Sequence, residues 1–386
     1  MILLDRVVQV LRAANLDRMG AEQVELTAHS HSPERGVGWL KAVKRNAARL
    51  LVTIERLTKE DRAAVRLRVR RTREPRITTY GQPRILYNLS GQEGGVDRML
   101  RLGMHTDNWR HLDRPFEDAV EAAVTLGLDC IEFGVFDGQY FIQALGYNPH
   151  LPLTTDPVPL RRYLDSKGLQ VSQIDAAYPL TSPEAGPYGV PYVRKAILFA
   201  EAIGCPYVDT TDGGSKPAGY SDAEVLTLLK HNLRLILETA ENHDVTVNIE
   251  THGPYTTNLD TMRMILEHFD SEHLRVNFDT GNTYISGNDP LEFLKGVRKW
   301  VSHLHVKDVA ANVAAAERGS STGIATSVAS IGSGVNAQNI EACIRYLQET
   351  DWDGVLSVEC EGTDEILHPS VAWLKALVGK SAVVHG

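Results

Sequence analysis

Cysteine is scarce in this 386-residue chain, and nothing in its placement suggests pairing. The four present, Cys130, Cys205, Cys343 and Cys360, have neither paired spacing nor a metal-knuckle pattern. That argues against a disulfide framework and points to a reducing compartment, the cytoplasm. Long apolar runs are absent too, and none approaches the roughly 20 residues that span a bilayer. The opening MILLDRVVQVLRAANLDR breaks its hydrophobic stretch with charges too early for a secretion signal, so the chain reads as soluble with no membrane partner. No glycine-rich loop precedes a helix in the way a nucleotide cradle demands.

The net charge of −9 is unevenly spread. Residues 1–98 hold 19 Lys and Arg against 11 Asp and Glu, an excess of +8, so the rest of the chain carries −17. An acidic region of that size is a poor electrostatic match for a nucleic-acid backbone.

Four short apolar runs each end in an acid or a histidine: Glu250 in VNIETHG, Asp279 in VNFDTGN, His305 in HLHVKD and Glu359 in LSVECEG. Side chains alternate across a strand, so Asn248, Asn277, His303 and Ser357 share a polar face with them. Val247 and Ile249, Val276 and Phe278, Leu304 and Val306, and Leu356 and Val358 form the opposite, apolar face. Strands of this kind suit a parallel barrel, apolar against outer helices and reactive at its mouth. Three carboxylates and one imidazole then converge, a set suited to a hard or borderline divalent ion: manganese foremost, with cobalt or magnesium as alternatives.

From about residue 100 onward, eight strand patterns alternate with helical ones, near 102–107, 129–134, 170–175, 205–210, 245–250, 274–279, 301–306 and 354–359. Asp113 before Pro115 opens a helix that closes at Gly127, and Gly168 and Gly204 end two more. Ser221 opens a long helix with Leu226, Leu229, Leu233 and Ile236 at helical spacing. These units predict an α/β chain whose residues 99–386 form a (β/α)8 TIM barrel. The connection from about Val309 to Val335, rich in Ala, Gly and Ser, reads either as a lid or as an insertion without a role. Residues 1–98 lack the strand-helix rhythm and form a basic N-terminal extension. Within it, Leu40 to Leu57 suggests a basic amphipathic helix, and RAAVRLRVRRTREPR over 62–76 is unlike a core element. The extension reads as an oligomer arm, a partner-binding segment, or upstream sequence from an early start codon with Met99 as the natural start. Comparing the activity and solubility of a chain beginning at Met99 tests the last of these.

The ordered series Glu250, Asp279, His305 and Glu359, the HVKD sequence at 305–308 and the Gly332-Ser333-Gly334 turn resemble the sugar isomerase/epimerase superfamily with a xylose-isomerase-like barrel, which also contains the endonuclease IV group. The resemblance covers roughly residues 100–380. It implies a metal held by Glu250, Asp279, His305 and Glu359, with Glu250 and Glu359 also exchanging protons with a bound sugar through an enediolate. One base on each face of a carbon gives epimerisation, and one base shuttling between neighbouring carbons gives isomerisation. Asn282 stands after DTG where nuclease members are expected to have a histidine, which with the acidic barrel argues against a nucleic-acid substrate. MHTDNW, IEFGVFDGQYF, DTTDGG and IETHGPYTTN also look like a subgroup that includes C-glycoside deglycosidase catalytic subunits and 3-keto-glycoside lyases, for which elimination from a 3-keto glycoside is the alternative reaction. A reading of another class is an inactive barrel serving as a partner subunit. Association of such barrels through their helices makes a homo-oligomer an expectation.

Further residues have both functional and structural readings. His252 lies nearer the mouth than Glu250 and is either a general base or a loop histidine satisfied locally. His105 and Glu132, ending the first two strands, are candidates for substrate hydroxyls, with a buried structural acid as the alternative for Glu132. Asp107, Asp209 and Asp212 are ambiguous in the same way. Lys307 is either an oxyanion partner or one half of a salt bridge, and Arg318 either a substrate clamp or a solvated arginine. His303 is more naturally a partner to His305 from below. Phe133, Phe136, Tyr140, Phe141 and Tyr147 either stack on a sugar or pack a rim helix. Without a phosphate cradle, an unphosphorylated sugar or glycoside is favoured.

Overall fold

A computed structural model describes residues 100–109, 112, 114–138, 149–319, 323–326 and 328–379, together with four strands in the N-terminal region. The chain divides into two compact units, Met1–Gly94 and Gly95–Gly386. In the first, β1 (Glu25–Ser30), β2 (Gly38–Val43), β3 (Leu50–Arg56) and β4 (Val65–Arg71) form an antiparallel meander in sequence order. The helix expected over Leu40 to Leu57 is therefore corrected: those residues contribute to β2 and β3. The local pattern explains why. LLVTIER is rich in β-branched residues, and in β4 Val65, Leu67 and Val69 alternate with Arg66, Arg68 and Arg70, the period of a strand rather than a helix.

The second unit is a closed ring of eight parallel strands: β5 (Arg101–His105), β6 (Cys130–Phe136), β8 (Gln170–Pro179), β9 (Tyr207–Thr211), β10 (Thr246–Glu250), β11 (Leu274–Asp279), β12 (Val301–Val306) and β13 (Val355–Val358). β5 closes the ring by pairing with β13, Val355 opposite Arg101, and with β6, Gly103 opposite Cys130. A two-residue strand, β7 (Leu151–Pro152), extends the end of β6. This is the predicted TIM barrel, and all eight strand positions agree with the expected ones to within a few residues.

Helices cover the outside. Gly127, Gly168 and Gly204 take positive φ at the expected helix ends, where a side chain on Cβ is strained. Asp113 lies outside the described residues. Ser221 and Glu224 form a reciprocal capping box that opens the helix Asp222–His243. Its buried stripe begins at Val225, with Leu226 only half-buried, and runs through Leu229, Leu233, Ile236 and Ala240. Val247, Ile249, Val276, Phe278, Leu304, Val306, Leu356 and Val358 are all fully buried in the core between strands and helices. Phe133 belongs to that layer, meeting Phe116 edge to face with centroids 5.1 Å apart, so it is a packing residue and not part of the mouth. Tyr140, Phe141 and Tyr147 lie outside the described residues. Among the described residues, no helix is long and apolar enough to cross a membrane.

Two buried aspartates hold the loops at the mouth. The Asp212 carboxylate accepts from the backbone N–H groups of Gly253 (2.8 Å), Tyr255 (2.8 Å) and Thr256 (3.2 Å) and from the Thr256 hydroxyl (2.8 Å). Gly253 must be glycine there, because a Cβ would sit 1.7 Å from the Gly213 carbonyl oxygen. Asp308 accepts from the N–H groups of Val309 (2.8 Å), Gly332 (2.9 Å), Gly334 (2.9 Å) and Asn336 (3.0 Å). The described part of the long connection after β12 is thus tied down at Asp308, and also where Ile331 N–H donates to Ser370. Asp308→Ala leaves four inward-facing N–H groups without their acceptor and is expected to destabilise the barrel by about 3 kcal/mol, read as a lower urea midpoint.

Candidate metal and active site

Strand alternation brings Glu250, Asp279, His305 and Glu359 together at the C-terminal mouth. Each offers a ligand atom, and these atoms all lie within 4.8 Å of one another. His305 is the hub. Its Nδ1 lies 3.2 Å from Glu250 Oε1 and 2.9 Å from Glu359 Oε2, and its Nε2 lies 3.0 Å from both oxygens of Glu132. Lys307 Nζ reaches Asp279 Oδ2 at 3.1 Å and Glu359 Oε1 at 3.0 Å. Lys307 reaches the cluster because Gly281, facing its stem, has no side chain: a Cβ there would come within 2.8 Å of Lys307 Cγ.

The charges in this cluster do not balance. Three buried carboxylates, Glu132, Glu250 and Asp279, and the half-buried Glu359 face the cationic partners His305 and Lys307, with His105 Nε2 3.9 Å from Glu132. Burial pushes Asp279 up to about 7 despite Lys307, with the carboxylates of Glu359 and Glu250 adding to the rise. Glu250 is raised by burial as well, with Glu359 adding to it. Burial also acts to raise Glu359, but Lys307 and His305 outweigh it and hold that acid well below the usual carboxylate range. For His305 burial acts downward, and Glu132 and Glu359 reverse it, keeping the ring protonated well above the ordinary histidine value. The site therefore relieves its negative excess by holding protons. A divalent cation does the same with more charge.

The donor set fits such an ion. Asp279 Oδ2 and Glu359 Oε2 are buried and have ion-pair contacts but no aligned hydrogen bond among the described residues. Three carboxylates and an imidazole suit a hard or borderline divalent metal. Asn282, in place of the histidine of the nuclease pattern, is an organiser of the site. Its N–H donates to Asp279 Oδ1 (2.8 Å), its Nδ2 to Glu250 Oε1 (3.3 Å), and its Oδ1 accepts from Ala325 N–H (2.8 Å), which joins the long connection to the acids.

His105 faces the same space. The Asp107 backbone nitrogen lies 2.9 Å from its Nδ1, and its Nε2 has no hydrogen-bond partner among the described residues; burial acts downward on this ring, but the carboxylates of Asp107 and Glu132 reverse it and raise its pKa to about 10. Asp175 Oδ2 is 3.5 Å from that nitrogen. Asp107 pairs with His150 at 2.6 Å. Asp209 is buried, its Oδ1 has no hydrogen-bond partner among the described residues, and burial followed by Glu250 raises it well above the usual acid range. His252 is held neutral by burial, and its Nδ1 likewise has no hydrogen-bond partner among the described residues. His303 lies one layer below His305, with Asn277 Oδ1 at 3.2 Å and Ser172 Oγ at 3.3 Å. Burial first, joined by the charges of His305 and His105, lowers its pKa to about 4.

Two of the sequence-predicted substrate contacts, Glu132 and Arg318, pair with other parts of the chain. Glu132 is 0 % exposed beneath the His305 ring. Arg318 is exposed, stacked 3.8 Å above the Tyr284 ring, with its guanidinium on the carbonyls of Tyr284, Gly287 and Asn288. Gln173 was missed by sequence reasoning, although it alternates with Asp175 on β8 as Asn248 does with Glu250. Gln173 donates to Glu132 at 2.7 Å and accepts from Asn248.

A family model described as "Xylose isomerase-like TIM barrel" matches residues 120–377. Among curated proteins, no sequence match is found. Similar solved structures include the xylose isomerase domain protein from Planctomyces limnophilus, 21% identical, with TM-score 0.55 over 74% of this chain and 98% of that one. L-ribulose 3-epimerase is 16% identical, with TM-score 0.57 over 75% of this chain and 99% of that one. The 3-keto-D-glucoside 4-epimerase from E. coli is 14% identical, with TM-score 0.55 over 72% and 98%. At these identities the likeness is one of fold.

Lys307→Met removes the one ammonium between Asp279 and Glu359 and is expected to destabilise the metal-free protein by about 3 kcal/mol. Added Mn2+ is expected to restore most of the lost melting temperature, as measured by thermal unfolding with and without the ion.

Proposed function

The chain belongs to the xylose isomerase-like TIM barrel family, and from that premise we propose that it is a divalent-metal-dependent sugar isomerase or epimerase. The observation that carries this reading is the convergence of Glu250, Asp279, His305 and Glu359 at the barrel mouth, in a buried cluster with more carboxylates than cations. Manganese fits this donor set best, with cobalt or magnesium as alternatives. When bound, the ion supplies a Lewis acid for adjacent sugar oxygens and offsets enediolate charge.

The chain's own groups do the rest. A proton on carbon next to a carbonyl passes to a carboxylate, the C–H electrons move toward the carbonyl oxygen, and the proton returns to carbon. Glu250 and Glu359 are the proton carriers. Their environments push them apart, Glu250 toward holding a proton and Glu359 toward releasing one, as an acid and a base require. Lys307, fixed between Asp279 and Glu359, faces the growing negative charge. His105 presents an Nε2–H donor and His252 a neutral imidazole to substrate oxygens. The names of the similar structures, which include ketose and keto-glucoside epimerases, support a sugar as the substrate class. The missing phosphate cradle favours an unphosphorylated one.

Incubation with free keto sugars and 3-keto glycosides in deuterated water with Mn2+, followed by NMR, tests this reading. Metal-dependent deuterium entry into an intact sugar, lost in both Glu250→Gln and Glu359→Gln, is expected. Release of an aglycone would instead favour the lyase, and no exchange with no bound metal would favour a partner subunit.

A further inference from the structure

The hydrogen bonding beneath the site goes beyond the four ligand candidates. His305 has two ring nitrogens, and a neutral imidazole can offer a lone pair from only one. Its Nδ1 faces Glu250 and Glu359, whereas Nε2 faces Glu132, both of whose oxygens lie 3.0 Å away. Glu132 is itself fixed. It is fully buried on β6, accepts the Ser357 hydroxyl at 2.7 Å and accepts the Gln173 amide at 2.7 Å. Donors therefore surround it, as an ionised carboxylate needs. Asn277 Nδ2 lies 3.2 and 3.1 Å from the two ring nitrogens and so cannot select between them.

We infer that Glu132 is a positioning residue: by accepting the His305 Nε2–H it fixes the ring's tautomer and rotation so that Nδ1 is the atom offered to the metal. This inference rests on the metal-dependent reading above. A carboxylate behind a metal-bound imidazole raises ligand basicity and removes rotational freedom, and losing such a partner typically weakens metal binding about 10- to 100-fold. The structure that performs this is a chain running Ser357 and Gln173 to Glu132 to His305. Neither the Ser357 hydroxyl nor the Gln173 amide is among the four ligand candidates, so the affinity of the mouth depends on residues one layer below it.

An alternative is that Glu132 is itself a ligand, since His105, Glu132 and His305 also bring ligand atoms within 4.8 Å of one another. Cobalt titration of the full-length chain, followed by stoichiometry and by visible absorption, separates the two. The expected result is one ion in the wild type, with Glu132→Gln folded by circular dichroism but about 10- to 100-fold weaker for Co2+, with altered ligand-field bands. Glu132→Asp, which keeps the charge, should recover part of the affinity. Should Glu132→Gln fail to fold, Ser357→Ala, which removes only one donor to Glu132, carries the test and is expected to weaken binding several-fold. Wild-type affinity and spectrum in folded Glu132→Gln, or in Ser357→Ala, would overturn the inference. Two ions per wild-type chain would overturn it in favour of a second site. A wild type that takes up no cobalt would overturn the functional reading itself, a different result from a variant that matches the wild type.

Discussion

Negative charge confined in a closed ring is the constraint around which this barrel is organised. Parallel closure directs the C-terminal ends of all eight strands to one mouth, and period-two alternation turns the polar member of each terminal pair inward. Glu132, Glu250, Asp279 and Glu359 are thereby placed in a space that water screens poorly, opposite the cationic side chains of His305 and Lys307 and with His105 beside Glu132. Isolated buried charges of this kind are strongly unfavourable. The arrangement is tolerable only because each acid has donors or cations aimed at it, and because protons are retained where those do not suffice.

That constraint explains features that otherwise look unrelated. Asn282 ties Asp279 and Glu250 to the long connection after β12, so the acids and the loop above them are held as one unit. Asp212 and Asp308 gather backbone N–H groups from loops that would not hold their shape by apolar packing alone. Beneath the mouth, Gln173, Asn248, Asn277 and His303 form a hydrogen-bonded layer. The interior is thus polar from that layer upward, with the apolar core displaced to the outside of the strands.

The barrel was legible in the sequence because apolar alternation, glycine at helix ends and a capping serine are local signals that the tertiary structure here reinforces. The four convergent residues were legible for the same reason: each closes its own strand. What escaped was information carried between strands. Nothing near Glu132 in the chain reveals that it lies under a ring from β12, or that Gln173 and Ser357 brace it. Arg318 occupies a loop that sequence places at the mouth, yet its guanidinium is taken up by an aromatic ring and a row of carbonyls. In the N-terminal unit Leu40 to Leu57 reads as a basic amphipathic helix, where β-branched content and alternation favour strands.

Anomalous diffraction at the manganese edge, from crystals grown with Mn2+, tests the central claim most directly. The account predicts one strong peak at the barrel mouth within bonding distance of Glu250, Asp279, Glu359 and Nδ1 of His305. No peak there, or one held by other residues, would contradict it.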